Sequence, residues 1–227
     1  LLIVVLTVTN HPPYTLPDHG VSVPVAIDSN LEAKLGNLPK ASLDTFFYTN
    51  NELGLFLDDI KAQGVGASTI VAITGDHSIR GLRYPLGQML SQITVPLYFY
   101  VPEDYRPPGA APQVNEWASH KDVMPTLYHL ALSQARYPNL GRNLMTADSS
   151  EHHAFAYHDN YLVLDDHVYD LARKDVRRST WQLQDGELVR SDDHASNPRF
   201  RSARLYPKIL DWLTRYQLAG MVLDSDR

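Results

Sequence analysis

Two adjacent residues of this chain have the chemistry to hold a divalent metal. They are Asp76 and His77, in the stretch Thr74-Gly75-Asp76-His77. They follow the apolar run Thr69-Ile70-Val71-Ala72-Ile73, which reads as a buried strand. A strand fixes the backbone at its tip, and Gly75 is expected to let the chain turn sharply there. Asp76 offers a hard oxygen and His77 a borderline nitrogen, a pair suited to zinc or manganese. A metal so held orients an anionic substrate and offsets charge that builds up on an attacked phosphorus or sulfur. The same dipeptide also fits a strand-end turn with a capping Asp, so its surroundings decide the reading.

Further polar residues lie where they can serve such a site. Arg80 and Arg83 come just after the Asp-His turn and are candidates for binding an anionic substrate by charge-assisted hydrogen bonds. His11 sits in the loop Asn10-His11-Pro12-Pro13-Tyr14, which its prolines stiffen. His120 precedes a helix start and is a candidate supporting residue of the metal site, with a structural hydrogen bond as the alternative. The chain has 0 Cys, so disulfides and thiolate ligands are excluded and a metal must sit on oxygen and nitrogen.

The elements that must position these residues read as follows. A first buried strand covers about residues 1–9, beginning with Leu1-Leu2-Ile3-Val4-Val5-Leu6. Residues 20–40 read mostly as loop. Leu43, Phe46, Phe47, Leu53, Leu57 and Ile60 fall at helical spacing between about Ser42 and Ala62, and Gly64 and Gly66 end that helix. A second buried strand follows the Asp-His turn at Thr94–Val101, then a proline-rich loop, then a helix from about Asp122 to Ser133 with Asp122 as its N-cap. Strands alternating with helices point to an α/β fold, a mixed sheet with a parallel part flanked by helices. The later part predicts a small antiparallel sheet from His153–Tyr157, Tyr161–Leu164, His167–Leu171, Thr180–Gln184 and Glu187–Arg190. A last helix is expected from about Arg204 to Gln217. Its apolar face is Leu205, Ile209, Trp212, Leu213 and Tyr216, and Gly220 lies beyond its end. The expected division is a core at 1–148 and a subdomain of antiparallel sheet and terminal helix at 149–227.

The bulk numbers narrow the classes. The 227 residues are 44% hydrophobic, enough for a sizeable core. A formal net charge of -6 argues against a nucleic-acid or anionic-membrane surface. The nearest thing to a basic cluster, Arg173, Lys174, Arg177 and Arg178, is interrupted by Asp175. No stretch approaches the roughly 18 apolar residues of a membrane span. The chain begins without Met inside an apolar run, which suggests a segment of a longer chain.

The order of motifs carries a resemblance. The loop Thr9-Asn10-His11-Pro12-Pro13-Tyr14 precedes a helix with Tyr48-Thr49-Asn50-Asn51-Glu52-Leu53, then Thr74-Gly75-Asp76-His77, then Thr94-Val95-Pro96-Leu97. Ser119-His120-Lys121-Asp122-Val123-Met124-Pro125-Thr126-Leu127 comes last. Together they resemble the carboxy-terminal half of a sulfatase-like domain of the alkaline phosphatase superfamily. The nearest branch is the lipoteichoic acid synthase and phosphoglycerol transferase group, followed by the phosphoethanolamine transferases. The resemblance implies Asp76 and His77 as metal ligands, with Mn2+ the first choice and Zn2+, Mg2+ or Ca2+ as alternatives. It implies His11 as a group facing the substrate phosphate or a second metal, and Asp122, Pro125 and Thr126 as architecture under the site. It also implies a nucleophile and an acidic metal ligand before Leu1, so that this segment alone is expected to be inactive.

The expected partners are an anionic phosphodiester or sulfate-ester substrate and the amino-terminal half of the same domain. No nucleic acid is expected, and a membrane only through helices upstream. The expected location is extracytoplasmic, in the periplasm or on the outer face of the cytoplasmic membrane, anchored there in the full-length protein. Two other functions stay open: a sulfuric-ester or phosphodiester hydrolase of the same superfamily, and a non-catalytic domain that binds a glycan or a protein.

Overall fold

In the computed structural model the described residues are 1–17, 26, 28–82, 84–109, 117–132, 136–137, 139–146, 154–172, 180–191 and 198–225. The chain divides into two units, Leu1–Asp104 and Tyr105–Arg227.

The first unit is built around one long helix and a strand pair. Helix α1 (Ser29–Leu35) is short and starts at Asp28, whose side chain accepts from the Leu31 N–H. This helix falls in a stretch expected to be loop. Its signals were the Asp28 cap and Gly36 just past its end, in a helix too short for periodicity to show. Helix α2 (Lys40–Ala62) follows and closes at Gln63, after which Gly64 turns the chain at φ 78. Strand β1 (Val71–Thr74), the short helix α3 (Met89–Ile93) and strand β2 (Leu97–Tyr100) complete the unit. β1 and β2 pair antiparallel, with Val71 opposite Tyr100 and Thr74 opposite Leu97.

Two expectations for this unit need correction. Residues 1–9 form no strand, and Leu1, Leu2, Ile3, Val4, Val5 and Leu6 all lie exposed. An extended run holds only when its N–H and C=O groups meet a ladder and its side chains meet a core. Among the described residues the sheet of this unit pairs β1 with β2 and takes in none of residues 1–9. The helical spacing within α2 is as expected, yet Phe46, Phe47, Leu55 and Phe56 are exposed and its buried residues are Ser42 and Thr45. The parallel pairing expected from strand–helix alternation is not among the described ladders, both of which are antiparallel.

The second unit has a closed core. Helix α4 (Val123–Ala131) is entered through a 3-10 turn, His120–Asp122. Asp122 stands at the N-cap position of α4 as expected, but its side chain makes no cap bond there and acts one turn earlier, where Ser119 caps the 3-10 turn. Ser119 and Asp122 form a reciprocal capping box, the Ser119 N–H donating to Asp122 Oδ2 at 3.0 Å. Five strands then run as an antiparallel meander: β3 (Ala156–His158), β4 (Tyr161–Leu164), β5 (His167–Asp170), β6 (Thr180–Gln184) and β7 (Glu187–Arg190). Three of its hairpins close through two residues, the first at positive φ in each: Asp159, Asp165 and Asp185. Asp tolerates that conformation better than most side chains, and Asp185-Gly186, both at positive φ, match a type I′ turn.

Helix α5 (Pro198–Ala203) and the start of helix α6 (Tyr206–Ser225) cover the sheet. Leu162, Leu164 and Tyr169 from the strands pack with Phe155, Phe200, Ala203 and Tyr206. The Tyr169 and Phe200 rings lie 4.3 Å apart, and Phe155 meets Tyr206 edge-on at 5.4 Å. α6 runs through Gly220 instead of stopping before it. One glycine costs a helix only about 1 kcal/mol, which the good helix formers around it absorb. Most of the apolar face read from the spacing is exposed: Leu205, Ile209, Trp212 and Tyr216 all face solvent.

Candidate metal centre

Asp76 and His77 sit directly beyond the end of β1, where the strand hands over to an irregular turn. Gly75 is not at positive φ. Its requirement is space: a Cβ there would come within 3.3 Å of Val95 Cγ1, which precedes the paired strand β2. The expected sharp turn at Gly75 is therefore a close approach of the two strand ends. The turn is tied down further along by Ser78, whose Oγ donates to the Gln92 carbonyl of α3.

The two side chains face each other, with His77 Nε2 and Asp76 Oδ2 3.8 Å apart. The ring orientation decides which nitrogen can ligate. His77 Nδ1 lies 2.7 Å from the Ser78 carbonyl oxygen, which can only accept, so the proton resides on Nδ1. Nε2 keeps its lone pair and lies 3.8 Å from Asp76 Oδ2. Holding one ring nitrogen by a backbone carbonyl so that the other can bind metal is a common arrangement for metal-ligating histidines. On the carboxylate, Oδ1 is occupied by the His77 N–H at 2.9 Å, while Oδ2 is the oxygen toward the imidazole.

The donor set fits a divalent ion. Bonds of about 2.0–2.2 Å from oxygen and nitrogen can bridge donors up to about 4 Å apart. Both side chains are accessible, 76% for Asp76 and 52% for His77, so a ligand can approach from solvent. Two protein donors are short of the four a tight site uses. Among the described residues no group of three or more His, Cys, Asp or Glu comes together.

His11 repeats the ring geometry. Its Nδ1 donates to the Pro12 carbonyl at 2.9 Å, leaving Nε2 directed away from the backbone. The loop is closed by the Tyr14 N–H on the His11 carbonyl at 2.9 Å. It is held to α2 by Thr45 Oγ1 donating to Asn10 Oδ1 at 3.3 Å. Arg80 is exposed in the turn after His77. Arg83 lies outside the described residues. His120 is exposed in the second unit, on the turn that leads into α4. In the first unit an open concavity of about 600 Å3 is lined by Asn30, Ala33, Lys34, Tyr84, Pro85 and Gln88, with neither Asp76 nor His77 among its walls.

Asp122 and Thr126 belong to a buried hydrogen-bond network of the second unit. Asp122 is fully buried and accepts from Lys121 Nζ at 2.6 Å and the Arg142 N–H at 2.9 Å, besides the Ser119 N–H. Thr126 Oγ1 donates to the Asp122 carbonyl at 2.7 Å and accepts from the Leu144 N–H at 3.0 Å. The Lys121 side chain is only 2% exposed and lies over the Phe155 ring at 4.4 Å. Burial pulls its ammonium below the usual lysine range, and the Asp122 carboxylate offsets part of that. The sequence reading passed over Lys121 and Arg142. Their signal was faint, since a Lys beside an Asp normally marks a solvated turn.

A family model described as Sulfatase matches residues 1–133. Among curated proteins, Lipoteichoic acid synthase 1 of Bacillus subtilis (strain 168) is 28% identical over 208 residues, which is 86% of this chain. The chain spans 30% of that relative's length.

Proposed function

The chain belongs to the sulfatase family, an α/β fold of alkaline phosphatase type, and from that premise we propose that it supplies the metal-binding strand end of a phosphodiester-acting transferase. The reaction class is transfer of a phosphoglycerol or phosphoethanolamine group from a lipid or envelope glycan donor to an alcohol. The proposal places it outside the cytoplasm, at the cell envelope. The similarity to a lipoteichoic acid synthase supports the transferase reading over a sulfate-ester or phosphodiester hydrolase.

The observation that carries the proposal is the facing of Asp76 Oδ2 and His77 Nε2 at 3.8 Å, with the imidazole proton held on the opposite nitrogen. These two atoms would hold the metal, Mn2+ by first preference. A bound divalent ion supplies positive charge that stabilises the anionic transferring group. The chain's own residues do the rest. The Ser78 carbonyl keeps the imidazole in the ligating tautomer. The Gly75–Val95 approach and the Ser78–Gln92 hydrogen bond fix the turn on which both ligands ride. His11 and Arg80, with Arg83, orient the anionic ester. The guanidinium groups offer forked N–H donors to its oxygens, and His11 Nε2, left without the ring proton, can accept from a substrate hydroxyl or ligate a second metal. In this reading the nucleophilic hydroxyl and a further acidic ligand come from residues preceding Leu1.

The test is turnover of a phosphoglycerol-type phosphodiester by the intact protein with His77→Ala and Asp76→Asn, run beside Arg80→Ala. The proposal expects the first two to abolish Mn2+-dependent turnover and the third to raise KM more than it lowers kcat. Unchanged Mn2+-dependent turnover in His77→Ala would overturn it.

A further inference from the structure

The charge of the whole chain conceals a segregated surface. Residues 198–225 carry five basic side chains, Arg199, Arg201, Arg204, Lys208 and Arg215, against Asp211 and Asp224, in a chain of net charge -6. Arg199 pairs with Asp165 and Arg215 with Asp211, while Arg201, Arg204 and Lys208 are exposed. Leu205, just before α6, and Ile209, Trp212 and Tyr216 on it recur at spacings of four, three and four, so they form one stripe. Lys208 and Arg215 fall along one edge of it, with Asp211 between them and paired to Arg215. Trp212 is 60% exposed and Tyr216 67%, their rings stacked with centroids 5.5 Å apart. The helix is anchored at its start by buried Tyr206, so the stripe points away from the sheet core.

We propose that this face of α6 docks flat on an anionic lipid surface. Trp and Tyr settle at the boundary between head groups and acyl chains, because one part of each ring system is apolar and the other hydrogen-bonds. Lys and Arg beside them extend their charged ends to lipid phosphates while their stems cover apolar surface. No described helix is long and apolar enough to cross a membrane, so the contact is one of lying on the surface. A second copy of the chain fits this face less well. Self-packing would bring the basic edge near its own image, and the one acid close by, Asp211, is already held by Arg215 at 3.0 Å. The inference uses none of the metal-site residues, so it stands or falls apart from the proposed activity.

The experiment is co-sedimentation of the 227-residue chain with vesicles of phosphatidylcholine alone and of phosphatidylcholine mixed with phosphatidylglycerol. Binding should need the anionic lipid and weaken as salt is raised. Each basic residue near an anionic surface is worth about fivefold in partitioning, and Lys208→Glu with Arg215→Glu both reverses these charges and leaves Asp211 without its partner, so the pair should lower binding by at least about 25-fold. Trp212→Ala with Tyr216→Ala should also release the protein. Both pairs are exposed, and an unchanged circular dichroism spectrum and unfolding midpoint verify the fold of each variant. Equal binding to both vesicle types, or binding that survives both double variants, overturns the proposal. So does a concentration-dependent dimer that Trp212→Ala dissolves in a protein that ignores vesicles, which would assign the stripe to self-association.

Discussion

Replacing Asp122 with Asn should destabilise the second unit far more than its small change in volume suggests. The carboxylate is fully buried and faces three donors: the Ser119 N–H at 3.0 Å, the Arg142 N–H at 2.9 Å and Lys121 Nζ at 2.6 Å. An amide has one acceptor oxygen and turns an NH2 toward at least one of those donors. One stranded backbone donor costs about 1–3 kcal/mol. The Lys121 charge, 2% exposed, also loses its counterion, and breaking a buried pair from one side costs about 3–5 kcal/mol in all. Lys121→Met should cost less, about 1–3 kcal/mol, because Asp122 keeps both backbone donors and burial already disfavours the ammonium. The double variant should fall short of the sum by about 1–3 kcal/mol. All three tryptophans, Trp117, Trp181 and Trp212, lie in the second unit, so Trp fluorescence during urea unfolding reports that unit alone. At a slope near 2 kcal/mol/M, a loss of 4 kcal/mol lowers the midpoint by about 2 M. A shift under about 0.5 M for Asp122→Asn, or Lys121→Met proving the costlier, would refute the reasoning.

Two further outcomes are expected. Gly141→Ala should destabilise the same unit by at least about 2 kcal/mol in the same urea assay, since its Cβ would lie 2.0 Å from the Lys121 carbonyl oxygen and force backbone to move. Tyr206, 7% exposed, has its phenol pushed up to about 12, first by burial and then by Asp122 and Tyr157. A folded pKa above the unfolded value of 10.0 means that stability is fully present below pH 10 and is lost as pH rises toward 12. Unfolding at pH 8 and pH 11 should therefore show Tyr206→Phe escaping about 1.4 kcal/mol of the alkaline loss seen in the unaltered protein.

How far the sequence was legible follows from what each element needs. The strands of the second unit, Tyr161–Leu164, Thr180–Gln184 and Glu187–Arg190, match their expected limits. Alternation and polar two-residue turns are local signals, and the neighbouring strands supply the pairing. Leu1–Leu6 read as a strand on hydrophobicity alone, which does not say whether a neighbour is present to pair with. The stripe on α6 was visible as spacing, but spacing does not distinguish a face that meets a core from one that meets something else. At the candidate site the residue types and their order gave Asp76 and His77. The tautomer did not follow from sequence, because it rests on a carbonyl 2.7 Å from Nδ1, and neither did the reason for Gly75, because Val95 is distant along the chain. The buried Lys121–Asp122 pair was hidden for the same reason. Its burial comes from Phe155 and Arg142, residues far along the sequence.

The most direct measurement for the metal centre is Mn2+ titration of the chain followed by electron paramagnetic resonance, in which the six-line signal of the hydrated ion fades on binding. The unaltered protein should take up one saturable Mn2+, weakly, as two protein ligands imply. Asp76→Ala and His77→Ala should each abolish that uptake while leaving urea unfolding unchanged. Uptake of the same size in either variant, or none in the unaltered chain, would contradict the assignment.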